Sequence, residues 1–112
     1  MELLNDKQFD TGRRVIELSA TGSGNLEIGN GVGTPVEGWF FDEVEVTSDT
    51  DDAITVQITN KRATILFSDT TTAATTEGFR GHPDNAAAFL DTPINVSVTA
   101  KCRVYVKLYQ HT

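Results

Sequence analysis

From Thr92 to Tyr109 the chain reads TPINVSVTAKCRVYVKLY, and apolar and polar residues alternate almost without a break. Ile94, Val96 and Val98 alternate with Asn95, Ser97 and Thr99. Cys102, Val104, Val106 and Leu108 alternate with Arg103, Tyr105, Lys107 and Tyr109. A period of two with β-branched residues in one phase describes strands with one dry and one wet face. The apolar phase stays on even positions across Ala100, and two readings fit. One is a single strand of about fifteen residues, far beyond the usual length. The other, which register favours, is a hairpin with Val98 opposite Cys102 and a loop of Thr99, Ala100 and Lys101. Against it, such loops usually place Gly where Lys101 stands.

The same period recurs upstream. Arg14–Ala20 predicts a strand with Ile16, Leu18 and Ala20 on one face, and Leu26–Ile28 a short strand. Two connections surround that short strand, Thr21–Asn25 and the glycine-rich Gly29–Pro35. In the second, Gly supplies positive φ angles. Gly38–Thr47 is ambiguous in phase. Phe40, Val44 and Val46 share a row with Asp42, while Trp39 and Phe41 lie opposite. Either the strand is covered on both sides at one end, or a bulge near Phe41 and Asp42 resets the phase. Ala53–Thr59 points Ile54, Val56 and Ile58 inward. After a turn at Asn60 and Lys61, Arg62–Phe67 returns with Ala63, Ile65 and Phe67 in one row. Residues 68–84 read as a long loop of the kind that is functional or mobile. Asn85–Leu90 fits a short strand or one helical turn.

These elements predict an all-β fold: a β-sandwich, most simply a jelly roll of about eight antiparallel strands. The expected organisation is a flexible N-terminal arm, residues 1–13, and one sandwich domain, residues 14–112. The expected core includes Ile54, Val56, Ile58, Val96, Val98, Val104 and Val106. A chain of 112 residues can bury such a core without metal or disulfide support.

Composition narrows the function. Sixteen acids against nine bases leave a net charge of −7, so nucleic acid is a poor partner. No segment approaches the apolar length of a membrane helix, and the N-terminal stretch has no signal-peptide pattern. Both features point to synthesis in a cytoplasm. The single cysteine, Cys102, reads as a buried apolar side chain. The dinucleotide pattern fails because Thr34 stands where the third glycine is needed, and the phosphate loop because the chain has no Gly-Lys-Ser/Thr. His82 and His111 are poorly placed for a catalytic triad, and one Cys with two distant His does not make a zinc site. Asp49, Asp51 and Asp52 could offer oxygens to calcium, but the spacing of a calcium-binding loop is absent. No enzyme and no cofactor are expected.

Charge is segregated along the chain. Glu37 to Asp52 holds seven acids and no base, whereas Lys101, Arg103 and Lys107 stand at the other end with no acid. The ordinary reading is cross-strand pairing; the alternative is head-to-tail packing of copies. The strand-rich ending TPINVSVTAKCRVYVKLYQ, the Thr/Gly/Ala loop before it, the acidic, cysteine-poor composition and the N-terminal arm resemble small virion structural proteins of tailed bacteriophages. These are capsid decoration or cement proteins and related tail or fibre modules. That resemblance implies a non-enzymatic protein located in the virion. It would form a homo-oligomer, a trimer by preference, on a viral capsid or tail protein.

The residues expected to make those contacts are Leu3, Leu4 and Phe9 in the arm, Phe79 and Arg80 in the long loop, and Lys101, Arg103 and Lys107. The alternative is a carbohydrate-binding sandwich, with Trp39, Phe40, Phe41, Tyr105 and Tyr109 as platform candidates. The competing reading of residues 39–41 is core.

Overall fold

The computed structural model describes residues 1–48, 52–70, 79–81 and 89–110, with the backbone alone for 79–81. Nine strands are found among them. They are β1 (Glu2–Gln8), β2 (Arg13–Ala20), β3 (Gly24–Ile28), β4 (Phe40–Thr47), β5 (Thr55–Asn60), β6 (Ile65–Thr70), β7 (Phe79–Gly81), β8 (Ile94–Val98) and β9 (Cys102–Tyr109). They form two antiparallel sheets, ordered β1-β2-β9-β4-β7 and β3-β8-β5-β6. Strands β2 to β9 are eight in number and follow the jelly-roll arrangement, with β1 added at one edge.

The predicted core is in place. Ile54, Val56, Ile58, Val96, Val104 and Val106 are wholly buried, and Val98 nearly so. They pack with Ile16, Leu18, Phe41, Val44, Val46 and Leu108 between the sheets.

The hairpin expected around Thr99–Lys101 is not formed. β8 pairs with β3 and β5, whereas β9 pairs with β2 and β4, so the chain crosses from one sheet to the other at this point. The even-phase apolar pattern is the same for a hairpin and for such an arch, because both strands still face one core. An arch also has no need of a glycine at Lys101. Ser48 Oγ donates to Lys101 O at 3.1 Å, and Thr55 N donates to Thr99 Oγ1 at 2.8 Å, securing the crossing.

The flexible arm is also corrected. Glu2–Gln8 forms β1 and pairs along β2, with a bulge at Leu4. The arm is unreadable as a strand because its residues show no period of two, and it is held by backbone pairing with β2 and by an ion pair between Asp6 and Arg14. Part of the long loop is strand as well. Ser68–Thr70 belong to β6 and Phe79–Gly81 pair with β4. Of the stretch Asn85–Leu90, residues 85–88 lie outside the described residues, and Phe89 forms a bridge with Phe40.

Two bulges decide which side chains face inward. At Asp42 the β4–β9 register shifts between Phe41 and Glu43. Phe41, Val44 and Val46 are therefore all interior, and Phe40 turns outward. A second shift places Thr59 opposite Ile65 and Ile58 opposite Phe67. Phe67 is buried, but Ile65 is 58% exposed, against the single inward row expected for Ala63, Ile65 and Phe67. The turn preceding β6 is longer than Asn60 and Lys61. Asn60 Oδ1 accepts from the amides of Arg62 and Thr64, and Ala63 takes a left-handed φ of 62°.

Candidate functional site

The outer face of the five-stranded sheet is the surface that β2, β9 and β4 turn to solvent. Its residues follow from strand parity. With Arg14, Ile16 and Leu18 inward, Arg13, Val15 and Glu17 point out; with Val104, Val106 and Leu108 inward, Tyr105, Lys107 and Tyr109 point out. Register aligns them into rows. Arg13 is opposite Tyr109, and Tyr109 is opposite Phe40. Phe9 donates its amide to Arg13 O at 2.8 Å across the β1–β2 turn, and Phe89 bridges Phe40 on the far side. One end of the sheet therefore carries a ridge running Phe9, Arg13, Tyr109, Phe40, Phe89.

The rings of this ridge lean on their neighbours. Phe40 and Tyr109 are stacked, with centroids 5.3 Å apart and planes 17° from parallel. Phe89 meets Phe40 edge to face, at 5.3 Å and 67°. The Arg13 guanidinium lies 5.6 Å from the Tyr109 ring centre, and the Lys7 ammonium 5.0 Å from that of Phe9. Arg13 also holds Asp42 on β4 at 2.9 Å. The ends of the ridge remain open: Phe9 is 43% and Phe89 is 56% exposed.

The next rows are charged. Lys107 donates to Glu43 at 3.2 Å and to Glu45 at 3.0 Å, and Arg103 pairs with Glu17 at 3.4 Å. Burial alone would lower the pKa of Lys107. The two carboxylates beside it outweigh that and raise it above its ordinary value. Part of the basic block at the C-terminal end thus meets acids of its own chain, the ordinary cross-strand arrangement. Lys101 is exposed in the crossing between β8 and β9.

The arm residues divide. Leu3 packs against the chain's own core, Leu4 is exposed, and Phe9 is the end of the ridge. Phe79 and Arg80 lie opposite Val46 and Glu45 in the β7–β4 pairing. Of the platform candidates, Trp39 and Phe41 are core, and Tyr105 lies two rows below Tyr109 on the same outer face. His82, His111, Asp49 and Asp51 fall outside the described residues. Among the described residues no cluster of His, Cys, Asp and Glu could hold a metal ion. No described helix is long and apolar enough to cross a membrane.

Two residues escaped the sequence reading. Phe89 became part of the ridge only through its bridge to Phe40, a long-range pairing with no local signal. Arg14 did have a signal, since it shares the even phase of Ile16, Leu18 and Ala20. It is wholly buried. Its Nε and Nη2 donate to the two carboxylate oxygens of Asp6 at 2.8 and 2.7 Å, and its remaining donors reach Thr34 and the carbonyl of Pro35. The guanidinium also lies 5.4 Å from the Trp39 ring centre. This clasp ties β1 and the Gly29–Pro35 loop to β2.

No family model and no curated protein sequence matches the chain. A solved structure titled "CBM4 structure and function" aligns with 98% of this chain and 77% of its own length, at 18% identity and a TM-score of 0.38. No functional assignment follows from a likeness at that level.

Proposed function

We propose that the chain is a non-catalytic structural subunit of a larger protein assembly, of the capsid-decoration or cement class in a bacteriophage virion, and that it acts by protein contact through the ridge. The observation that carries this reading is the packing of the rings. Phe40 and Tyr109 turn their faces toward each other, and Arg13 and Lys7 lie over Tyr109 and Phe9. A carbohydrate platform needs open ring faces on which a sugar can lie. A ridge of leaning rings, apolar and flanked by charge, instead suits insertion into a groove or against a second ridge. Aromatic residues with an adjacent Arg are also the composition of protein hot spots.

The reading is tested on the particles themselves. Mass spectrometry of density-banded virions is expected to find the chain at a fixed copy number, and a glycan array is expected to stay blank. Absence from the particles, together with glycan binding that Phe89→Ser abolishes, would replace this reading with the carbohydrate-binding one.

A further inference from the structure

We infer that the partner seated on this ridge is a second copy of the chain, related by a two-fold axis passing close to Tyr109. The inference rests on the reading of the ridge as a protein contact and names its occupant. β9 is the middle strand of five, with β1 and β2 on one side and β4 and β7 on the other. Tyr109 is therefore the centre of the ridge. Its flanks carry opposite charge: Lys7 and Arg13 stand on the β1–β2 side, Asp42 and Glu43 on the β4 side. A two-fold axis at the centre lays each flank on the other.

Arg13 then faces Asp42 of the second copy, and the existing Arg13–Asp42 pair becomes a ring of four alternating charges. Lys7 approaches Glu43 of the second copy, and Phe9 lies against Phe89 of the second copy. A surface that is self-complementary in this way is what an isologous dimer requires. Two like-charged encounters remain, Glu17 with Glu45 two rows away and Lys107 with Lys107 of the second copy on the axis. Each of these groups already has an opposite charge of its own chain: Arg103 for Glu17, Lys107 for Glu45, and Glu43 and Glu45 for Lys107.

Size sets the expected strength. Five strands at about 4.8 Å spacing and three rows at about 7 Å give a footprint of roughly 500 Å2, well short of the roughly 800 Å2 per partner of a standard interface. The dimer is accordingly weak and depends on concentration. Pairing through the free edge of β1 is the less suitable contact, since Glu2 and Lys7 on that strand are the kind of charges that guard an edge.

Charge-swap complementation tests the geometry. Arg13→Glu and Asp42→Arg are each purified, checked for native circular dichroism, and examined by sedimentation velocity alone and mixed, one copy carrying a fluorophore. Alone, each sets like charges across the axis and is expected to dimerise at least about tenfold more weakly than the wild type. Mixed, the glutamate introduced at position 13 of one copy meets the arginine introduced at position 42 of the other, while the native Asp42 and Arg13 meet on the opposite side of the axis. The heterodimer is expected to form at wild-type strength.

A wild-type chain that stays monomeric up to about 100 µM overturns the inference. If ridge substitutions then still abolish attachment to particles, the ridge is a docking surface for a different protein and the proposed function stands. Self-association that the single substitutions leave unchanged, or that the mixture fails to restore, also overturns it and places the contact between copies elsewhere.

Discussion

Arg14 is wholly buried on the inner face of β2, and its guanidinium is held bidentately by Asp6 of β1 at 2.7 and 2.8 Å. This pair makes the N-terminal residues part of the sheet. Burial alone would raise the pKa of Asp6, but Arg14 and the amide and hydroxyl of Thr34 outweigh it and hold the carboxyl below its ordinary 3.8. A depressed folded-state pKa means stability that is present above the unfolded value and lost as pH falls through the folded one. Wild type is therefore expected to lose stability below about pH 4, a loss that Asp6→Asn should reduce. At neutral pH, Asp6→Ala leaves Arg14 buried without its counter-charge. Urea denaturation should show a cost of about 3–5 kcal/mol. A cost near zero would mean that water or another group replaces Asp6.

Gly33 tests the same clasp from the loop. Its φ is +69°, and an added Cβ would stand 3.1 Å from Asp6 Oδ2. Gly33→Ala meets both backbone strain and a contact on the carboxylate. A destabilisation of about 1–3 kcal/mol is expected in the same denaturation assay. Gly22, whose Cβ would meet nothing within 4 Å and whose φ is not positive, is the control, and Gly22→Ala should leave the midpoint nearly unchanged.

The fold class was readable because β8, β9, β2 and β5 each keep one apolar phase, and that phase is the inner face of a sheet. What escaped has a common physical cause. Period and composition do not encode which sheet a strand joins, so Val98 and Cys102 could be read as hairpin partners when they end β8 and begin β9 in separate sheets. One inserted residue at Asp42 or Leu66 inverts the parity of the residues beyond it, which is why Phe40 and Ile65 changed sides. β1 lacks a period because it sits at an edge, held by backbone pairing and by Asp6 as much as by apolar burial. The ridge was half visible, in Phe9, Phe40 and Tyr109. Its unity depends on which strands become neighbours.

The consequence of the second bulge can be measured. Val104 is wholly buried, and Val104→Ala should cost about 1–3 kcal/mol through lost burial and the cavity left behind. Ile65 belongs to an equally apolar-looking strand but is 58% exposed. Ile65→Ala should fall within about 0.5 kcal/mol of wild type. Equal costs at the two positions would contradict the register assigned to β6.

Cys102 faces the core, and burial pushes its thiol up to about 11. The native protein at pH 8 should therefore react very slowly with a disulfide reagent such as DTNB, and one equivalent should react on unfolding. Fast reaction in the folded state would mean that the crossing between β8 and β9 opens readily.

The proposed role of the ridge is tested most directly by re-attachment to particles stripped of the protein. Wild type, Phe9→Ser, Phe89→Ser and Ile65→Ser are incubated with them, pelleted through a density gradient and quantified. Ile65 is the control, an exposed apolar residue on the other sheet. Wild type and the Ile65 variant should re-attach equally, and each ridge variant should bind at least about tenfold more weakly, because attachment is made by chains paired through the ridge and Phe9 and Phe89 are hot-spot residues of that pairing. Undiminished attachment of both ridge variants, with loss only in the Ile65 variant, would move the contact to the four-stranded sheet and contradict the role given to Phe9 and Phe89.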